Sequence, residues 1–333
     1  MKSTLALALT LCLVSSMPVL SQGRGGRGGA PEAPLVETVA PGIPGVVAAG
    51  TKVQIIKSGF QGTEGPIALP DGSVIFTETV ANRITKIDKD NNVTTFLENT
   101  NGSNALAFDK KGRLITVQTV PGSTKVGVVY PKGSEAVLAD SFEGKPFGRP
   151  NDLVVDKKGG VYFSEPGAPG NPANPPATPP LPPSVYYIPP GGKIIKVADG
   201  FRPNGIQLSR DEKTLYVNNT GGEYLLAFDI QGDGTLKNRR DFAKYESVTR
   251  TEAGVTSGAD GLAIDNEGRI YIATPPGIQV FSEQGKQLGT IPLPGPPQNL
   301  AFAGPDKKTL YIVGRGNGYK IQMLTPGFKG RAK

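Results

Sequence analysis

Phe201-Arg202-Pro203-Asn204-Gly205-Ile206-Gln207-Leu208-Ser209-Arg210-Asp211-Glu212-Lys213-Thr214-Leu215-Tyr216-Val217 holds the unit that decides the architecture. A polar residue opens it, a short apolar strand runs from Ile206 to Leu208, a charged turn follows, and Thr214 to Val217 reads as a second strand. The unit returns five more times. Aligned on the opening residue, the copies begin Glu64-Gly65-Pro66, Asn104-Ala105-Leu106, Asn151-Asp152-Leu153, Asn204-Gly205-Ile206, Asp260-Gly261-Leu262 and Gln298-Asn299-Leu300, at intervals of 40, 47, 53, 56 and 38 residues.

Periods near 40 to 50 residues with several short strands per copy are those of a β-propeller, because one such sheet cannot cover its own apolar faces and must stack on its neighbours. Six copies predict an all-β, six-bladed propeller over residues 51–326. The sixth copy supplies only three strands before the sequence runs out, so the strand after Lys52 is expected to complete the last blade, with Val53 to Ile56 pairing with Ile321 to Leu324. In a propeller every innermost strand starts at the same mouth of the central channel. Glu64, Asn104, Asn151, Asn204, Asp260 and Gln298 are therefore expected to form a ring.

Composition removes much of the usual chemistry. The 333 residues contain no histidine and one cysteine, Cys12, so imidazole bases, His-ligated metals and thiolate nucleophiles are excluded from the folded body. Residues 1–21 have the layout of a secretory signal peptide, with Lys2, an apolar run from Leu5 to Val14 and small residues up to Ser21; the run is too short to span a membrane. A secreted or periplasmic location is expected. Much of the net charge of +7 sits near the two ends, which argues against nucleic-acid binding. Residues 22–50 read as a flexible Gly/Pro/Arg-rich leader and 327–333 as a basic tail. The proline-rich stretch 165–183 cannot pair as strand and is expected to overhang the ring as a lid or wall.

A ring of amides with two carboxylates, Glu64 and Asp260, presents hard oxygens to one axis. That suits one divalent cation, Ca²⁺ in preference to Zn²⁺, Mg²⁺ or Mn²⁺. Taken singly, an Asn or Asp at a strand start often only satisfies turn backbone. Six polar residues in register favour the functional reading.

Thr63-Glu64-Gly65-Pro66, Arg149-Pro150-Asn151-Asp152, Arg202-Pro203-Asn204-Gly205 with Leu208-Ser209 and Lys213-Thr214-Leu215-Tyr216-Val217, and Asp260-Gly261-Leu262-Ala263-Ile264-Asp265 together resemble the SMP-30/gluconolactonase/luciferin-regenerating family over about residues 52–324. The resemblance implies a six-bladed propeller with one metal at the channel mouth, held by Glu64, Asn204 and Asp260, with Asn151 as a fourth ligand or substrate contact and Arg149 on substrate oxygens. Asn104 and Gln298 fill the remaining ring positions and are candidate substrate contacts. It implies a hydrolase acting on a small molecule, a sugar lactone, whose carbonyl the cation polarises. Without histidine, Asp260 is the first candidate for the base and Asp152 the reserve, while Glu78 and Glu165 read as structural. The competing readings are a non-catalytic NHL-like binding propeller and a strictosidine-synthase-like enzyme.

Overall fold

Each opening residue stands at, or just before, the head of the innermost strand of an antiparallel sheet, and within a sheet the strands pair in the order the chain supplies them. In this computed structural model, which describes residues 35–167, 181–252 and 254–333, blade one comprises Thr63–Ala68, Val74–Glu78, Arg83–Ile87 and Val93–Glu98. Blades two to five repeat it, with Ser103–Phe108, Leu153–Val155, Pro203–Leu208 and Leu262–Ile264 innermost. Blade six takes Asn299–Ala303, Thr309–Gly314 and Asn317–Gln322 from the end of the sequence and Lys52–Ser58 from before the first copy, with Thr38–Val39 added outside. The result is the six-bladed propeller that the repeat predicts, and no helix occurs among the described residues.

The turns after the innermost strands share one device. Asp109, Asp156 and Asp265 each accept, through Oδ1, the backbone N–H groups two and four residues ahead, at 2.8–2.9 Å. Asp71, Asp211 and Asp306 cap the N–H two ahead in the same way. A carboxylate that satisfies the turn backbone fixes the hairpin register, and with it the face on which each apolar residue emerges. The buried clusters accordingly lie between blades: Val154, Tyr162 and Val185 of blade three pack on Ile206, Leu215 and Leu226 of blade four. Each such burial contributes roughly 1.5–3 kcal/mol.

Three expectations are corrected. The closing strand pairs with the third strand of blade six, but in another register: Gln54 faces Lys320, Ile55 faces Tyr319 and Ser58 faces Asn317. The expected alignment of Val53–Ile56 on Ile321–Leu324 is displaced because the strand ends at Gln322, Met323 N still bonds Lys308 O just before the blade's second strand, and Leu324 N turns away to Val46 O. Second, the leader does not extend to residue 50. Ala40, Ile43, Val46 and Val47 are buried with blades five and six, so from residue 35 onward the segment belongs to the propeller. Third, 327–333 is not a loose tail. Phe328 N donates to Ile264 O, Ala68 N to Ala332 O, and Lys333 is buried. The signal-peptide reading of 1–21, leader residues 22–34 and lid residues 168–180 lie outside the described residues.

Candidate active site

The ring closes through contacts between successive blades. A Cβ on Gly65 would stand 2.3 Å from Asn104 O, so blade one meets blade two almost backbone to backbone. Asn104 Nδ2 donates to Asn151 O at 2.8 Å, Ile206 N to Asp152 Oδ2 at 3.1 Å, and Gly205 N to Asp260 O at 3.1 Å. Gly261 N donates to Gln298 O at 2.8 Å, and Gln298 Nε2 returns to Glu64 Oε1 at 3.1 Å. The glycines after Glu64, Asn204 and Asp260 follow from this closeness. A Cβ would lie 2.2 Å from Asp260 O at Gly205 and 2.1 Å from Asn299 Oδ1 at Gly261.

Within the ring the six side chains divide. Glu64 is buried, with Oε1 accepting from Gln298 and Oε2 from Asn299 Nδ2 at 3.2 Å. Asn204 Oδ1 and Asp260 Oδ1 are both buried and accept no hydrogen bond among the described residues. Burial pushes the Glu64 carboxyl up to about 7, and the negative charge of Asp152 adds to that. Burial, then the charges of Glu64 and Asp152, push the Asp260 carboxyl well above the usual range, against the opposing charges of Arg315 and Lys333. Two acids that feel one another beside unpartnered buried oxygens are an unfavourable arrangement for the protein alone, and a cation would relieve it. No group of three or more His, Cys, Asp or Glu side chains converges among the described residues, so an ion here needs the amide oxygen of Asn204 beside the two carboxylates. Those residue types fit a hard divalent ion.

Residues 62–315 match the SMP-30/Gluconolactonase/LRE-like region. The chain belongs to this family. Among its relatives is a gluconolactonase of Zymomonas mobilis, 28% identical over 308 residues and covering 86% of each chain. A solved gluconolactonase of Xanthomonas campestris is 28% identical, with a TM-score of 0.72 over 88% of this chain and 99% of that one. A regucalcin from Agrobacterium tumefaciens, described as a calcium-binding protein, shares the fold at 17% identity, with a TM-score of 0.64 over 84% and 98% of the two chains.

In this member of the SMP-30/gluconolactonase family the other named residues fall into clear positions. Asn151 is half-buried, and its side chain makes no hydrogen bond among the described residues. Arg149 is exposed two residues before it, its backbone N–H donating to the Glu165 carboxylate at 3.0 Å. Asn104 and Gln298 are tied into the scaffold. Asn104 spends its N–H on Asn151 O, while Gln298 also accepts from Arg315 N at 2.7 Å and from Thr63 Oγ1 at 3.4 Å. Asp152 is fully engaged: Oδ1 accepts from Leu153 N, and Oδ2 accepts from Ile206 N and from Lys333 Nζ at 2.6 Å. A carboxylate so occupied holds the loop, which leaves Asp260 as the acid with an open oxygen.

Glu78 and Glu165 are structural, with a shared purpose. Each ends the second strand of its blade and accepts backbone N–H groups from the loop leading to a ring residue, Gln61 in one case and Gly148 and Arg149 in the other. Burial pushes the Glu78 carboxyl up, but Arg83, Thr85 and the Gln61 N–H outweigh it and hold it below the usual range. Glu165 lacks such a cation, and burial leaves it raised. Asn219 does the same for Arg202 N at 3.3 Å. Three residues escape sequence reasoning: Asn299, which steadies Glu64; Asn218, whose Nδ2 donates to Asp260 O at 2.6 Å; and Lys333. Asn299 alone left a signal, as a polar residue where three other copies carry glycine.

Proposed function

We propose that this protein, a lactone hydrolase by family and relatives, opens sugar lactones with the help of one divalent cation held by Glu64, Asn204 and Asp260. The observation that carries this reading is the pair of buried, unpartnered oxygens, Asn204 Oδ1 and Asp260 Oδ1, beside Glu64 on a ring joined blade to blade. Ca²⁺ is the ion that best suits a set of carboxylate and amide oxygens without imidazole or thiolate. When bound, a divalent cation polarises the lactone carbonyl and stabilises the negative charge that develops on its oxygen.

The chain supplies the rest. Asp260, with an oxygen that no donor among the described residues occupies, takes the proton from the attacking water and returns it to the departing ring oxygen. Asn151, half-buried on the ring, and Arg149, exposed two residues before it, take the role of orienting the substrate oxygens. Gln298 and Asn299 keep Glu64 from turning away, and Asn218 fixes the backbone of Asp260. The sequence of residues 1–21 adds that the enzyme is exported and works outside the cytoplasm.

The deciding experiment is hydrolysis of glucono-δ-lactone before and after chelation, and after restoring Ca²⁺, with Asp260→Ala in parallel. Activity that needs the ion and the carboxylate supports the reading. Activity that persists through both treatments overturns the metal mechanism.

A further inference from the structure

The arginines of this protein are distributed unevenly. Of the eleven among the described residues, seven are ion-paired with a carboxylate and Arg239 lies over the Phe201 ring at 4.9 Å. The three left are Arg149, Arg202 and Arg315, whose guanidinium groups have no carboxylate or ring partner among the described residues. All three border the ring. Arg149 and Arg202 each stand two residues before a ring asparagine, and Arg315 donates its N–H to the ring residue Gln298 at 2.7 Å. Each is exposed. The other arginines on this side, Arg83 and Arg250, are neutralised by Glu78 and Glu223.

The nearby acids are already engaged, Glu165 by backbone N–H groups and Glu78 by Arg83. Residues 168–180 contain no Asp or Glu, so that stretch cannot supply a carboxylate either. Arg315 carries a second mark. It is the first of two residues joining Thr309–Gly314 to Asn317–Gln322, with φ of 50°. Such a turn favours Asn, Asp or Gly at that place, and an arginine is held there instead. The N–H groups of this turn donate to Gln298 Oε1 at 2.7 Å and to Thr63 Oγ1 at 3.2 Å, which places Arg315 at the mouth where the ring residues begin.

Uncompensated guanidinium groups around a mouth attract and grip anionic oxygens, since their planar fork matches carboxylate and phosphate. We infer that this enzyme selects lactones bearing an anionic group besides the ring ester, with Arg202 and Arg315 as the contacts that recognise it. The inference rests on the lactone-hydrolase reading and adds the substrate class. A carboxylate and a phosphate share the required chemistry, and the test separates them.

The test compares kcat/KM for glucono-δ-lactone, which is neutral, with that for a monolactone of glucaric acid and for 6-phosphogluconolactone. The proteins are the wild type and the double variant Arg202→Gln/Arg315→Asn, the second change chosen because asparagine suits the left-handed turn. The wild type is expected to prefer one anionic lactone over the neutral one by at least about 10-fold, the favoured one naming carboxylate or phosphate, and the double variant to lose most of that ratio. Equal or better use of the neutral lactone, or a preference that survives the double substitution, overturns the inference. If no lactone is hydrolysed, the enzyme reading fails separately, and calorimetric binding of glucarate and 6-phosphogluconate decides the arginines. Binding lost in the double variant supports them, and binding absent or unchanged overturns them.

Discussion

Lys333 Nζ lies 2.6 Å from Asp152 Oδ2, with both side chains buried, so the last segment of the sequence reaches the underside of the ring that the inner strands build. It arrives from the opposite mouth. There Lys329–Lys333 borders a cavity of about 900 Å³ lined by the far ends of the inner strands, including Leu69, Phe108 and Val155. Asp152 in turn accepts from Ile206 N, so this ion pair pins blade three to blade four. Removing one partner of a buried pair leaves the other charge uncompensated, at about 3–5 kcal/mol. Lys333→Met should lower the unfolding free energy by roughly that amount in a denaturant titration. A change within about 0.5 kcal/mol would show that the contact contributes nothing.

The raised acids give the metal-free protein an unusual pH dependence. Glu64 titrates near 7 when folded and near 4.5 when unfolded, and Asp260 is raised in the same sense. The folded state therefore binds more protons than the unfolded one in this interval, and stability, greatest below the unfolded pKa, is lost as pH rises through the folded one. Carboxyls held low, such as Asp71 at about 2, have their full effect above the unfolded value of 3.8 and do not oppose the trend at neutral pH. In chelator the melting temperature should fall steadily from pH 5 to pH 8. Saturating Ca²⁺ should restore it, most strongly at pH 8, because the ion competes with protons for the same oxygens. A flat or rising curve in chelator would contradict the buried acid pair.

Reading the sequence recovered the blades and the ring for a physical reason. An inner strand must be apolar on both faces, must turn at a capping Asp, and must begin where the channel opens, so each copy carries the same short signature. The glycines after Glu64, Asn204 and Asp260 belong to it because neighbouring backbones leave no room for a Cβ. What stayed illegible depends on contacts distant in sequence. The register of Lys52–Ser58 is set against Asn317–Gln322, from which the chain peels away at Leu324. The apolar residues of 35–47 are broken up by Pro41, Gly42, Pro44 and Gly45 and announce no continuous strand, yet they fill the crevice between blades five and six. Asn104 and Gln298 look like the other ring residues until their hydrogen bonds show them bracing the ring. Lys333 resembles any basic tail until it is seen beside Asp152.

That crevice yields a direct prediction. Ile43 is 3% exposed, and a Cβ on Gly289 would come within 2.9 Å of its Cδ1, so blade five has left space for this side chain. Ile43→Ala should cost about 2–5 kcal/mol, as for a large-to-small change in a packed core. Kinetics at the channel mouth should stay as in the wild type, since Ile43 packs against Gly289 on the outermost strand of blade five. A loss below about 0.5 kcal/mol would return residues 35–50 to the status of a leader.

Substitution of the central acid should move stability and activity in opposite directions. Asp260 is held among Glu64, Asp152 and buried backbone with one oxygen unpartnered, an arrangement that disfavours its charge when no cation is present. Asp260→Asn keeps the shape and removes the charge, so in chelator at pH 8 the variant should melt above the wild type. The same change removes a candidate ligand and the proton acceptor, and hydrolysis should fall by at least about 100-fold. Ca²⁺ should then raise the melting temperature of the wild type far more than that of the variant, a readout independent of turnover. If Asp260→Asn were instead less stable than the wild type in chelator, the carboxylate would be a satisfied member of the scaffold, and the acid driving the reaction would have to be sought elsewhere on the ring.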